Sequence, residues 1–226
     1  MTQINELLNK YKIHLTNKNY LFSFFISVLY LVASIIINIY MSRYATINAS
    51  NPVTDIILSN TRVYDTGDFF VFGGLAILLL ITMACLVKPE KIPFTLKTIA
   101  VFVIIRSIFI SLTHIGPFPT QITFDRSTIH FAKELIGMNG FNAFFSGNDL
   151  FFSGHTGLPF LIAFIFWESR AIRYSFLILS ISFAIIVLLG HLHYSIDVLA
   201  AFFITYSIYT ISTKLFKGDF ERTNTK

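Results

Sequence analysis

The sequence predicts an all-α, polytopic membrane protein of six transmembrane helices, and three observations carry that reading. Of its 226 residues, 54% are hydrophobic and 13% are charged, with a mean hydropathy of +0.69; this is far too apolar for a soluble domain of ordinary usage. Apolar runs approaching the length needed to cross about 30 Å of hydrocarbon, near 20 residues each, recur at Tyr20 to Tyr40, Phe69 to Val87, Phe94 to Thr113, Phe151 to Trp167, Tyr174 to Leu189 and Tyr194 to Thr213. Lysine and arginine gather on alternate connections between those runs, the signature of a chain that crosses repeatedly.

Residues 1–19 form a polar N-terminal segment ahead of the first run. A removable signal would place a short apolar core directly behind a basic start and end it with small residues, so the first run reads as a retained helix. The second is almost free of polar groups and contains the lone Cys85, which excludes an intrachain disulfide. The third carries two cations. Lys97, near its cytosolic end, is expected to snorkel. Arg106 lies roughly 11 Å below the outer end at 1.5 Å per residue, a depth at which a charge faces a cavity or a partner. On the same helical spacing, Thr113 and His114 are expected to rim the cavity that Arg106 faces.

The fourth and fifth runs are short, and only Gly190 to His193 separates the fifth from the sixth. Residues 20–214 therefore read as one membrane domain, and 215–226 as a C-terminal tail. Two connections are long, Met41 to Asp68 and His114 to Leu150, and such loops are usually functional or disordered. Within the second, Ser127 to Met138 has the pattern of a short amphipathic surface helix.

Eleven cations fall on one side of the layer: Lys10, Lys12, Lys18, Lys88, Lys91, Arg170, Arg173, Lys214, Lys217, Arg222 and Lys226. Four fall on the other, Arg43, Arg62, Arg126 and Lys133. Both termini are accordingly expected in the cytosol. The net charge of +5 is then a topology signal, and nothing in it points to nucleic acid. Five of the six histidines lie on the non-cytosolic side, together with Asp55, Asp65, Asp68, Asp125, Glu134, Asp149 and Asp197. Asp55, Asp65 and Asp68 read as solvated loop acids.

Two stretches carry candidate chemistry. In HYSID, His193 to Asp197, the histidine and the aspartate are four residues apart and share a helical face. A carboxylate there can hold one imidazole nitrogen and leave the other free as base or nucleophile, although an aspartate so placed can also simply cap the helix. In FFSGHT, Phe151 to Thr156, Ser153 and Gly154 precede His155 at the mouth of the fourth run. Glycine allows close backbone approach to a ligand, and free N–H groups at a helix start favour an anion. Two such mouths on one side of the membrane could bracket a single phosphate, one histidine attacking phosphorus and the other protonating the leaving oxygen. Arg106 would supply a fixed positive charge, while His191 and His114 read either as site contacts or as surface histidines.

At these residues the chain resembles the phosphatidic-acid-phosphatase type 2 superfamily, and within it the sphingomyelin-synthase-like branch. GNDLFFSGHT, Gly147 to Thr156, is similar to that branch's third motif, with Gly147 and Asn148 where the motif has Cys and Gly; HYSIDVLAAF, His193 to Phe202, is similar to the fourth. Arg106 with Thr113, Pro117 and Pro119 resembles the second motif, and Pro52 with Asp55 the first. The ordinary phosphatase pattern fits less closely: Val187 stands where it has an arginine, and no Pro precedes SGH.

The resemblance implies a six-helix bundle in which His193 attacks phosphorus, Asp197 orients it and His155 protonates the departing lipid alcohol. It implies Arg106, His114, Asp149, Ser153, Gly154, His191 and Tyr194 as substrate-binding candidates, with no metal or other cofactor. The expected activity is transfer of a phospho-headgroup between membrane lipids on the non-cytosolic face through a phosphohistidine, in what is expected to be a bacterial inner membrane. Its rivals are a lipid phosphate phosphatase or phospholipase-C-like hydrolase, with water as acceptor, and a non-catalytic transporter or lipid-binding protein. The sequence leaves headgroup, acceptor and oligomeric state open.

Overall fold

The structure, a computed structural model, describes residues 2–123 and 150–224. Among these, all regular structure is helical: α1 (Thr2–Thr16), α2 (Lys18–Ile47), the short α3 (Ile56–Asn60), α4 (Gly67–Val87), a 3-10 turn (Pro89–Lys91), α5 (Ile92–Leu112), α6 (Gly154–Ile165), α7 (Arg170–Leu189), α8 (Ser195–Leu215) and α9 (Lys217–Asn224). The expected surface helix at Ser127 to Met138 and the candidate Asp149 lie outside the described residues.

Five helices among the described residues are long and apolar enough to cross a membrane: α2, α4, α5 with its preceding turn, α7 and α8. The chain is an integral membrane protein. The fourth expected span, short as read from the sequence, contains α6, of 12 residues, about 18 Å at 1.5 Å per residue. It need not reach the headgroups because protein surrounds it: Leu161, Ile162 and Ala163 are fully buried, among Phe94, Phe102, Phe166 and Phe183. Its deep C-terminal end is met by Lys91, whose Nζ donates to the Ile165 carbonyl (2.8 Å) and to Glu168 (2.9 Å). Backbone at membrane depth is tolerated where protein supplies such partners.

Helix α2 shows how packing in lipid differs from packing in water. Its buried positions include Ser23, Ser27, Ser34, Asn38, Ser42 and Ala45, while Phe22, Phe25 and Leu29 face outward. Lipid tails are as apolar as leucine, so burying leucine between helices gains little, and small residues that allow close approach line the interface. Ser107 of α5 donates across this seam to Asn38 Oδ1 (3.2 Å). Gly73 plays the same part between α4 and α7, where a Cβ would stand 2.2 Å from the Phe183 ring.

The two ends of the bundle differ. At one end the termini meet the turn before α5: Tyr11 and Tyr20 donate to the carbonyls of Leu86 and Pro89 (both 2.8 Å), and α9 docks on α5. Lys97 does not snorkel. It is buried and its Nζ donates to Asp219 of α9 (2.6 Å) and Ser23 (2.8 Å). At the other end the irregular segments cross-link one another through Ser50 N–H to the His114 carbonyl (2.7 Å), Tyr64 N–H to Leu189 (2.8 Å) and Ile122 N–H to Gly190 (3.2 Å).

Candidate active site

The second end holds both sequence motifs. Helix α7 closes at Gly190, where a Cβ would lie 2.3 Å from Thr66 Oγ1, so only glycine fits. His191 follows in the left-handed region, φ 52°, a conformation in which histidine is enriched among non-glycine residues. Leu192 N–H then reaches back to the Val187 carbonyl (2.8 Å), and the chain turns directly into α8. Asp197, on the first turn of α8, accepts the Tyr194 N–H at Oδ2 (2.9 Å), satisfying a donor that the helix start leaves open.

His193 is buried beside it. Its Nδ1 lies 2.8 Å from the Leu150 carbonyl oxygen and 3.6 Å from Asp197 Oδ2. A carbonyl oxygen only accepts, so Nδ1 carries the proton and Nε2 is the nitrogen with a lone pair. The expected His193 and Asp197 pairing is thus present as a close charge, and the hydrogen bond itself goes to a main-chain carbonyl 43 residues earlier.

The SGH motif meets this turn through the backbone, as Ser153 N–H donates to the Asp197 carbonyl (3.3 Å). Ser153 Oγ caps α6 by accepting the Thr156 N–H (3.4 Å). The His155 ring stacks at 3.8 Å centroid distance on Phe70 of α4 and lies 5.5 Å from Phe183 of α7, within electrostatic reach of both His193 and Arg106. Arg106 Nε donates to the Phe152 carbonyl (3.0 Å), and its side chain passes over Gly154, where a Cβ would stand 3.4 Å from Nε and 3.8 Å from Cζ.

A supporting layer surrounds this cluster. Asp55, expected among the solvated acids, is 7% exposed. One carboxylate oxygen caps α3 through Ile57 and Leu58 N–H (2.9 and 3.1 Å), and the other accepts the Ser195 N–H (2.7 Å) and hydroxyl (2.8 Å). Burial works against its ionisation, but the hydrogen bonds from Ser195, Leu58 and Ile57 outweigh it and hold its pKa below the ordinary carboxylate value. Tyr194 does not offer its hydroxyl to the site: it donates to the Gly116 carbonyl (2.8 Å) and accepts Val53 N–H (3.2 Å).

The two remaining histidines divide. His191 is buried, its Nδ1 2.6 Å from Thr120 Oγ1 and its Nε2 without a hydrogen-bond partner among the described residues. His114 departs from the expected face: α5 ends at Leu112 and Thr113 is extended, so the eight-residue helical spacing from Arg106 is broken. Its ring packs edge-on against Tyr44, 5.4 Å away. Asp55 and the Leu150 carbonyl are the contributors that motif reading missed. A short-range proline-aspartate signal pointed weakly to the first, whereas no residue-type signal exists for a main-chain oxygen.

Residues 146–214 match the family model described as PAP2 superfamily, C-terminal. The matched segment includes α6, α7 and almost all of α8, and so contains both histidines of the two motifs. Members of that superfamily are phosphatases and phosphotransferases, so the match supports an enzyme acting on phosphate esters. No curated protein and no solved structure matches the chain.

Proposed function

We infer that the protein moves a phospho-headgroup between membrane lipids through a phosphohistidine on His193. The observation that carries this reading is the Nδ1 contact to the Leu150 carbonyl, which leaves Nε2 as the nucleophilic nitrogen, with His155 within electrostatic reach of both His193 and Arg106. In the first step the Nε2 lone pair forms a bond to phosphorus, the bond from phosphorus to the donor lipid's alcohol oxygen breaks, and His155 delivers a proton to that oxygen. In the second, an acceptor hydroxyl gives its proton to His155 and attacks phosphorus, and the P–N bond breaks. Arg106 would hold the non-bridging oxygens, and the Asp197 carboxylate would offset the positive charge of the phosphorylated imidazole.

The second reading keeps the same residues and uses water as acceptor. A diester is the better fit to the cluster, because one arginine meets one phosphate charge, where a monoester brings nearly two. The asymmetry of lysine and arginine between the connections supports a site on the non-cytosolic leaflet. The test is a lipid-product assay on purified protein with headgroup-labelled phosphatidylcholine and phosphatidylethanolamine as donors, ceramide and diacylglycerol as acceptors, and His193→Ala as control. A labelled new lipid, absent in the variant, establishes transfer; label released only into water makes the protein a hydrolase; activity unchanged in His193→Ala would overturn both.

A further inference from the structure

The end of the bundle that carries the termini has its own cavity, of about 420 Å³, between the start of α2, α5 and the corner joining α8 to α9. Its polar side is made by Lys97, Lys217, Arg222 and Asp219, three cations against one carboxylate; its apolar side includes Phe22, Ile26, Leu215 and Phe216. We propose that this cavity binds the phosphate of an anionic phospholipid in the leaflet opposite the one that serves the histidine site.

Depth argues for a lipid. Lys97 is five residues into α5, about 8 Å along the helix, which places the cations where a bilayer changes from headgroup to hydrocarbon. Phe22 and Leu215 are 70% and 62% exposed, so the apolar wall continues onto the surface that faces acyl chains. A free anion would use the polar wall and leave the apolar one idle, whereas a phospholipid uses both.

Charge argues for an anionic one. Asp219 joins the cations into a fixed frame: it accepts from Ser23 (2.6 Å), Lys97 (2.6 Å) and Arg222 (2.9 Å). One carboxylate neutralises one of the three cations; the excess lies on Arg222, which is partly buried and so screened less than on an open surface, and on Lys217, which is exposed. Glu221 lies 3.6 Å from Lys217, but both side chains are well exposed, and a pair so placed contributes little. The volume lies within the range of sites that hold small ligands.

The test uses the full chain with His193→Ala, which prevents turnover of the probe lipid, Trp167→Phe, which removes the native indole, and Phe216→Trp as a reporter in the cavity wall. The protein is placed in vesicles of phosphatidylcholine containing a minor fraction of lipid brominated on its acyl chains. Brominated phosphatidylglycerol is expected to quench the reporter at least about threefold more than the same fraction of brominated phosphatidylcholine. The preference is expected to vanish with Lys217→Gln plus Arg222→Gln, and to weaken with Lys217→Gln alone, a change at an exposed position that leaves the buried frame intact. Equal quenching by the two lipids, a preference that survives the double substitution, or displacement by millimolar inorganic phosphate would each overturn the proposal. None of these outcomes depends on what the histidine site does.

Discussion

Replacing Asp197 with Asn separates two roles that a carboxylate near a catalytic histidine can play. If the carboxylate holds the tautomer, its amide presents the wrong group and activity falls about 10⁴-fold, as in Ser-His-Asp triads. Here the Leu150 carbonyl holds Nδ1 at 2.8 Å, and Asn can still accept the Tyr194 N–H that Asp197 now takes. What is lost is charge. At 3.6 Å a full positive charge on the imidazole interacts with the carboxylate by roughly 4.6 kcal/mol at an effective dielectric of about 20. With about half of that charge developed in the transition state, the loss is roughly 2.3 kcal/mol, or about 50-fold in rate. Single-turnover formation of the phosphoenzyme measures the rate, and nitrogen-15 spectra of the imidazoles report the tautomer. A fall near 50-fold with His193 still protonated at Nδ1 is expected. A 10⁴-fold fall accompanied by a switch to the Nε2-protonated form would refute the assignment of tautomer control to Leu150.

Three further outcomes follow from the geometry. Asp55→Asn keeps the shape but removes the charge and turns one of two acceptor oxygens into a donor, so that two of the four hydrogen bonds it accepts are lost; a loss of about 2 kcal/mol lowers the melting temperature by roughly 4–8 °C. Because the folded pKa of Asp55 is depressed, its contribution is complete above the ordinary carboxylate range and is lost as pH falls through the folded value, so this part of the acid-side decline should be missing in the variant. Gly154→Ala puts a Cβ at ordinary contact distance from Arg106, 3.4 Å from Nε, and should leave turnover and melting nearly unchanged; Gly157→Ala meets Thr205 Oγ1 at 2.8 Å and Phe102 at 3.0 Å and should instead destabilise by about 1–3 kcal/mol. Lys97→Met removes one of two cations from the buried Asp219, which keeps Arg222 and Ser23 as partners, and should destabilise by about 1–3 kcal/mol, read from thermal unfolding.

The membrane class, five of the long helices and the side shared by the two histidine motifs were legible because length, hydropathy and charge asymmetry are properties of contiguous sequence. The enclosure of the fourth run by protein was not. Phe151 to Trp167 is apolar enough to suggest a crossing, but whether an apolar helix touches lipid or protein depends on its neighbours, and Phe94, Phe102 and Phe183 enclose α6. The same limit applies to charges. Lys97 and Asp219 are 122 residues apart, and Asp55 reaches a partner 140 residues away, so composition alone read the lysine as snorkelling and the acid as solvated. His114 shows a different limit: helical spacing was extended two residues past Leu112, where α5 ends. The i,i+4 spacing correctly put His193 and Asp197 side by side, yet spacing cannot show that a loop carbonyl reaches the ring first.

The bonds that shape the candidate site are the same bonds that let irregular backbone exist at the membrane boundary. Helix mouths there cannot rely on water for every open donor and acceptor, so the outer segments satisfy one another: Ser153 N–H on the Asp197 carbonyl, Ile122 N–H on Gly190, Ser50 N–H on His114. The His193 contact to Leu150 belongs to this set, since a buried carbonyl at the edge of α6 needs a donor and the imidazole provides one. Solving the backbone problem therefore orients the proposed nucleophile without a dedicated side chain. It follows that substitutions weakening the outer cross-links, such as Asp55→Asn, should raise the fraction of misoriented imidazole and lower turnover at temperatures well below melting. Changes on the lipid-facing surface, such as Phe25→Leu or Leu29→Ile, touch none of these bonds and should leave turnover unaltered.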